Sequence, residues 1–125
     1  MNNSSLPTQR QLRVGEQVRQ IISNYVLKNS IPSTVLIDIS LTVSMVRMSK
    51  DLKIAYIYVM PLGGHNLKEV EEALNINKFI FQKELAKKIK TKFTPKIIFY
   101  IDNSFIEAKK INNLLSTAKV KKDIN

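Results

Sequence analysis

Val35–Met60 reads VLIDISLTVSMVRMSKDLKIAYIYVM, and its periodicity decides the fold. Val35, Ile37, Ile39, Leu41, Val43 and Met45 alternate with Asp38, Ser40, Thr42 and Ser44, which predicts a long strand with one wet face. Ser49-Lys50-Asp51 has turn chemistry, and Ile54 to Met60 follows as a second, more buried strand. The connection is too short for a crossover, so the two strands pair antiparallel.

Upstream, Pro7 and Thr8 open a helix in which Thr8 and Gln11 have capping-box spacing. Val14, Val18, Ile21, Ile22, Tyr25 and Val26 make one buried stripe, with Arg10, Arg13 and Arg19 largely off it. Pro32 marks the break. Downstream, Pro61-Leu62-Gly63-Gly64 ends the second strand, and Asn66 caps a helix whose first turns carry Glu69, Glu71 and Glu72. The helical pattern weakens at Asn75-Ile76-Asn77, then resumes as a longer basic helix that Pro95 stops. Ile97 to Ile101 reads as a third strand. Ser104 with Glu107 is another capping box, opening a helix to about Thr117.

The order is therefore helix, strand, strand, helix, helix, strand, plus a C-terminal helix: an α+β domain. Its helices pack on one face of a three-stranded sheet, since three strands alone bury too little. Residues 1–8 read as a flexible start, 9–117 as the folded domain and 118–125 as a basic flexible tail.

Composition narrows the function. The chain has 125 residues, 20 basic and 10 acidic side chains and a formal net charge of +10. Lys78 to Lys96 holds seven lysines and one acid, Glu84. A run of one sign repels itself and is matched to something negative, either nucleic acid or an anionic membrane face. No apolar run approaches the ~18 residues of a membrane span, and no signal-peptide pattern opens the chain. There is no cysteine, which excludes disulfides and thiolate metal sites and suits the cytoplasm.

Catalysis has little to work with, and no metal or other cofactor is expected. His65 is the only histidine, and an exposed loop position explains it better than a general base. Glu71 and Glu72 diverge on a helix, so a solvated helix start explains the acidic cluster. Gly63-Gly64 lacks the rest of a phosphate-binding loop.

The basic helix is better material. At about 100° per residue, Phe79, Leu85, Ala86, Ile89 and Phe93 fall on one apolar side, while Lys83, Lys87 and Lys90 share a sector of roughly 60°. That stripe can track a phosphate backbone, with Lys78, Arg10 and Arg13 as secondary candidates. Lys88, four residues after Glu84, reads as its ion-pair partner. The plain alternative is a solvated face; the net charge and the Arg10/Arg13 pair favour nucleic acid. RNA is favoured over duplex DNA, because no recognition-helix or zinc-finger pattern is present. Tyr56 and Tyr58 share one strand face, which reads as core rather than as an RNA-stacking surface.

The element order resembles a type II KH domain. Met48-Ser49-Lys50-Asp51-Leu52-Lys53-Ile54-Ala55-Tyr56-Ile57-Tyr58-Val59 resembles the hairpin signature of the ribosome-binding factor A family. Arg13-Val14, Phe79-Ile80 and Pro95-Lys96-Ile97-Ile98-Phe99-Tyr100-Ile101-Asp102-Asn103-Ser104 resemble its other blocks, over roughly residues 9–115. The resemblance implies a non-enzymatic factor of ribosome biogenesis. Such a factor binds the free 30S subunit and precursor 16S rRNA, assists rRNA processing and maturation, and is linked to growth in the cold. It implies a cytoplasmic monomer with an assembly GTPase as a further partner. The rival reading is a basic module that docks an acidic ribosomal or assembly protein. KH domains grip nucleic acid with a GxxG loop; the family replaces it with a small-residue kink ending in glycine. Here those positions read Ile76-Asn77-Lys78, where Asn77 tolerates a left-handed bend. Phe81 stands where a basic residue is common.

Overall fold

The computed structural model describes residues 6–29, 31–37, 39–62, 66–102 and 104. The expected terminal helix and basic tail lie outside these residues, as does His65. Among the described residues three helices and three strands follow in the order α1 (Gln9–Lys28), β1 (Ser40–Met48), β2 (Ile54–Leu62), α2 (Leu67–Ile76), α3 (Lys78–Lys88) and β3 (Lys96–Ile101). The sheet order is β1-β2-β3, with β1 antiparallel and β3 parallel to β2. This is the α+β architecture expected from the sequence.

Local chemistry sets the helix starts. The Thr8 hydroxyl accepts from the Gln11 amide while the Gln11 side chain accepts from the Thr8 amide, completing the capping box. Asn66 accepts from the Lys68 and Glu69 amides at 3.1 and 3.3 Å. In the β1–β2 turn, Ser49 accepts from the Ile54 amide and donates to Asp51. Leu52 takes a left-handed φ of 62° there, a strain of about 1–2 kcal/mol that its packing against the core offsets.

The core lies between the sheet and the helices. Ala55, Ile57, Val59, Ile97 and Phe99 point to one face of the sheet, where Val14, Val18, Ile22, Val70, Leu74, Phe81 and Leu85 cover them. α1 crosses β1 at Gly15, where an added Cβ would lie 3.2 Å from the Val46 carbonyl oxygen.

Five expectations are corrected. β1 starts at Ser40, not Val35, because the Ser33 hydroxyl accepts from the Val35 and Leu36 amides and curls residues 34–37 into a turn. Leu36 is the buried residue there and Ile37 is exposed. The alternation of β1 also breaks at Ser44. Val43 pairs with Val59 and Met45 with Tyr58, so Ser44 is a bulge and Met45 turns outward.

The basic helix ends at Lys88, with Ile89 already extended at φ −75° and ψ 143°. Gln82 explains the early stop: its carboxamide donates to the Pro95 carbonyl and accepts from the Ile97 amide at 3.1 Å. The chain must turn back within residues 89–94 to meet that grip. The apolar side differs too. Phe81 and Leu85 are buried, while Phe79 and Phe93 are exposed. Phe81 fixes the rotation of α3 because its ring sits edge-on to Tyr25 at 5.5 Å and to Phe99 at 4.9 Å. The bend at Asn77 needs no left-handed residue: φ is −96° and ψ 13°, with the side chain donating to the Ala73 carbonyl at 2.8 Å.

Candidate nucleic-acid interface

Lys83 and Lys87 stand one turn apart on the outer side of α3, about 6 Å along its axis. With Phe79, Ile80 and Glu84 of α3, Tyr25 of α1 and Asn29 just past its end, they line an open groove of about 570 Å³. Phe79 is 65% exposed and gives the groove an apolar wall beside its two cations.

The electrostatics of this groove rest on Glu84. Lys88 reaches it at 2.8 Å, as the spacing predicts, and that hydrogen bond holds the Glu84 carboxyl below its ordinary range. Among the described residues Lys83 and Lys87 have no ion-pair partner. Lys88 thus does most to keep the carboxylate ionised, with a smaller contribution from the charge of Lys87, while Lys83 and Lys87 stay exposed.

Lys90 does not share this face. It lies past the end of α3 and lines a separate cleft with Lys88, Gln17, Gln20, Ile21 and Asn24. The helical stripe of three is therefore a pair, because the helix that was to carry the third stops two residues short. Lys78 is exposed at the start of α3. Arg10 and Arg13 are exposed near the start of α1, whereas Tyr25 and Asn29 mark its groove end. At 1.5 Å per residue that separates the two arginines from the groove by about 20 Å. Arg19 is held at 2.7 Å by Glu16, whose carboxyl it lowers to about 2, with Gln20 adding to the shift.

Two features escaped the sequence reading. Tyr56 and Tyr58 are not core: they lie half-buried on the sheet face opposite the helices, stacked with Tyr100 at 6.2 and 5.6 Å. Their alternation with Ala55, Ile57 and Val59 puts the two sets on opposite faces of the sheet, and the helices cover the other set. The free edge of β3 is also covered, by side chains of α2 and α3. Glu71 accepts from the Ile101 amide, Asn75 bonds both backbone groups of Phe99, and Gln82 reaches Pro95 and Ile97.

Among the described residues no cluster of three metal-binding side chains exists, and no helix is long and apolar enough to cross a membrane.

The family model for ribosome-binding factor A matches residues 10–115. Ribosome-binding factor A of Afipia carboxidovorans is 41% identical over 124 residues, covering 99% of this chain and 88% of that protein. The crystal structure of ribosome-binding factor A from Thermus thermophilus superposes with a TM-score of 0.62 at 20% identity, over 75% of this chain and 97% of that one. A homology model of the Thermus thermophilus factor, fitted into a cryo-electron microscopy map of its complex with 30S, gives 0.55 at 21% identity, over 71% and 91% of the two chains. At those identities the two structural likenesses concern the fold.

Proposed function

This chain belongs to the ribosome-binding factor A family, and we propose that it binds the free 30S ribosomal subunit as a non-enzymatic assembly factor and assists maturation of 16S rRNA. The observation that carries the mechanism is the Lys83–Lys87 pair, exposed and without an ion-pair partner among the described residues, beside a groove whose acid Glu84 is already engaged by Lys88. Two exposed ammonium groups one turn apart suit a phosphate backbone, with affinity from counterion release and position from shape. Lys90 in its separate cleft, Arg10 and Arg13 near the start of α1, and Lys78 at the start of α3 supply peripheral contacts to the same extended RNA.

In this reading the protein works as a cytoplasmic monomer on precursor 16S rRNA, supports processing during growth in the cold, and leaves with the help of an assembly GTPase. The experiment is co-sedimentation with 30S particles. The double variant Lys83→Glu, Lys87→Glu should lose binding while keeping wild-type circular dichroism, whereas Lys90→Glu alone should retain most of it. Unchanged co-sedimentation of the double variant would sink the assignment. The exposed Phe79 favours one second reading, an acidic protein partner docked in the groove. Loss of subunit binding with undiminished binding to naked 16S rRNA would favour it.

A further inference from the structure

The face of the sheet opposite the helices carries a second set of chemistry. Cross-strand register places Arg47, Tyr56 and Ile98 in one row, and Met45, Tyr58 and Tyr100 in the next. Lys96 lies beside Ile54 in the row before them. Tyr100 pairs with both other rings, at 5.6 Å from Tyr58 and 6.2 Å from Tyr56, with interplanar angles of 25° and 30°. It is 40% exposed and Met45 38%. Among the described residues β3 is an edge strand, with no further strand flanking Tyr100 on its outer side.

We propose that this tyrosine face is a stacking site for unpaired nucleobases of single-stranded RNA. It rests on the reading above that the ligand is RNA, and it adds a base-contacting surface on the side of the domain away from the lysine groove. An incoming base extends the ring column beyond Tyr100, where the column ends at the sheet edge. Stacking of this kind tolerates any base, since each has a π face.

Charge selects this occupant. β1, β2 and β3 carry Arg47 and Lys96 and no carboxylate, and the Glu71 carboxylate at the β3 edge is engaged by the Ile101 amide. Asp102, just past β3, accepts from the hydroxyls of Ser44 and Ser104. A phosphodiester strand laid across the rings is matched by Arg47 and Lys96 at one end of the face. A second copy of this chain, with a net charge of +10, is repelled. Cross-strand ring pairing alone would stabilise the sheet with or without cations around it.

The chain supplies its own probe, because it has four tyrosines and no tryptophan. Three of the four are in this cluster, so a base stacking there quenches most of the intrinsic emission. The full chain is titrated with a ten-nucleotide oligoadenylate and with a blunt RNA duplex of equal length. The single strand should give saturable quenching and the duplex little. Tyr100→Leu should weaken single-strand binding by roughly tenfold without changing its salt dependence. Tyr100→Phe, which keeps the ring, should restore it. Absence of quenching, equal quenching by duplex, or wild-type affinity in Tyr100→Leu each overturns the proposal. So does a concentration-dependent dimer in sedimentation velocity that Tyr100→Leu abolishes. Failure of the wild-type chain to co-sediment with 30S particles would instead remove the ribosomal reading, since the oligonucleotide titration involves no subunit.

Discussion

The side-chain amide of Asn75 bonds both backbone groups of Phe99: its nitrogen donates to the Phe99 carbonyl at 3.0 Å and its oxygen accepts from the Phe99 amide at 2.9 Å. A side chain here does what a neighbouring strand would do. With Glu71 and Gln82 on either side, it closes an edge that would otherwise present free donors and acceptors to another chain.

Asn75→Leu should therefore be costly beyond its size. Leaving a partly buried N–H and C=O unpaired costs about 1–3 kcal/mol per group. We expect a loss of roughly 2–4 kcal/mol in urea unfolding, on the basis of that range, together with more aggregation as the β3 edge opens. A change within about 0.5 kcal/mol, the usual scatter of surface substitutions, would show the clamp to be idle.

Phe81→Ala removes a fully buried ring held between Tyr25 and Phe99. The expected destabilisation is about 3–5 kcal/mol by thermal or denaturant melting. Phe81→Arg should be worse, because it would put a charged side chain into the core in place of a fully buried ring. An Arg variant as stable as wild type would mean that α3 can rotate.

Gly15→Ala tests the contact of α1 with β1. Helix propensity alone predicts a gain of about 1 kcal/mol. The new methyl would lie 3.2 Å from a backbone oxygen of a strand hydrogen-bonded to β2, which has little room to give. We expect no net gain from Ala and a clear loss from Gly15→Leu. A full propensity gain in the Ala variant would show that α1 lifts freely off the sheet.

Asp102 should make the domain acid-sensitive. Hydrogen bonds from Ser104, then Ser44, hold its carboxyl below the ordinary range. A depressed native pKa contributes stability that is present above the unfolded value of about 3.9 and is lost as pH falls through the native one. Unfolding below about pH 4 should thus be less steep in Asp102→Asn. Carbon-detected NMR titration should show the Asp102 midpoint rising in Ser44→Ala; an unmoved midpoint would refute the Ser44 contribution.

The Lys83→Glu, Lys87→Glu variant should also change the salt response of whatever RNA binding persists. Removing two phosphate contacts makes the slope of log K against log salt shallower by about 1.5. An unchanged slope would mean that neither lysine meets phosphate.

The legible parts of this fold were those set within three or four residues. The Thr8–Gln11 cap, the Asn66 cap, the Ser49–Asp51 turn and the Glu84–Lys88 pair depend on local spacing, which sequence displays directly. The less legible parts depend on residues brought from far away. α3 is rotated by Phe81 meeting Tyr25 and Phe99, and shortened by Gln82 gripping Pro95. Neither partner could be read from a helical wheel. The lysine stripe lost Lys90 for that reason. Tyr56 and Tyr58 were misplaced because a strand's alternation does not say which of its faces the helices will cover.

The parallel pairing of β2 with β3 has a kinetic consequence. Ile54 pairs with Lys96, so this contact closes a loop containing both α2 and α3, whereas the β1–β2 hairpin closes across a few residues. Long closures carry more entropy and slow the folding that awaits them. On the ribosome that makes this chain, β2 keeps one bare edge until Lys96–Ile101 has emerged from the exit tunnel. Glu71, Asn75 and Gln82 emerge before it, so the groups that receive β3 are synthesised ahead of the strand they hold.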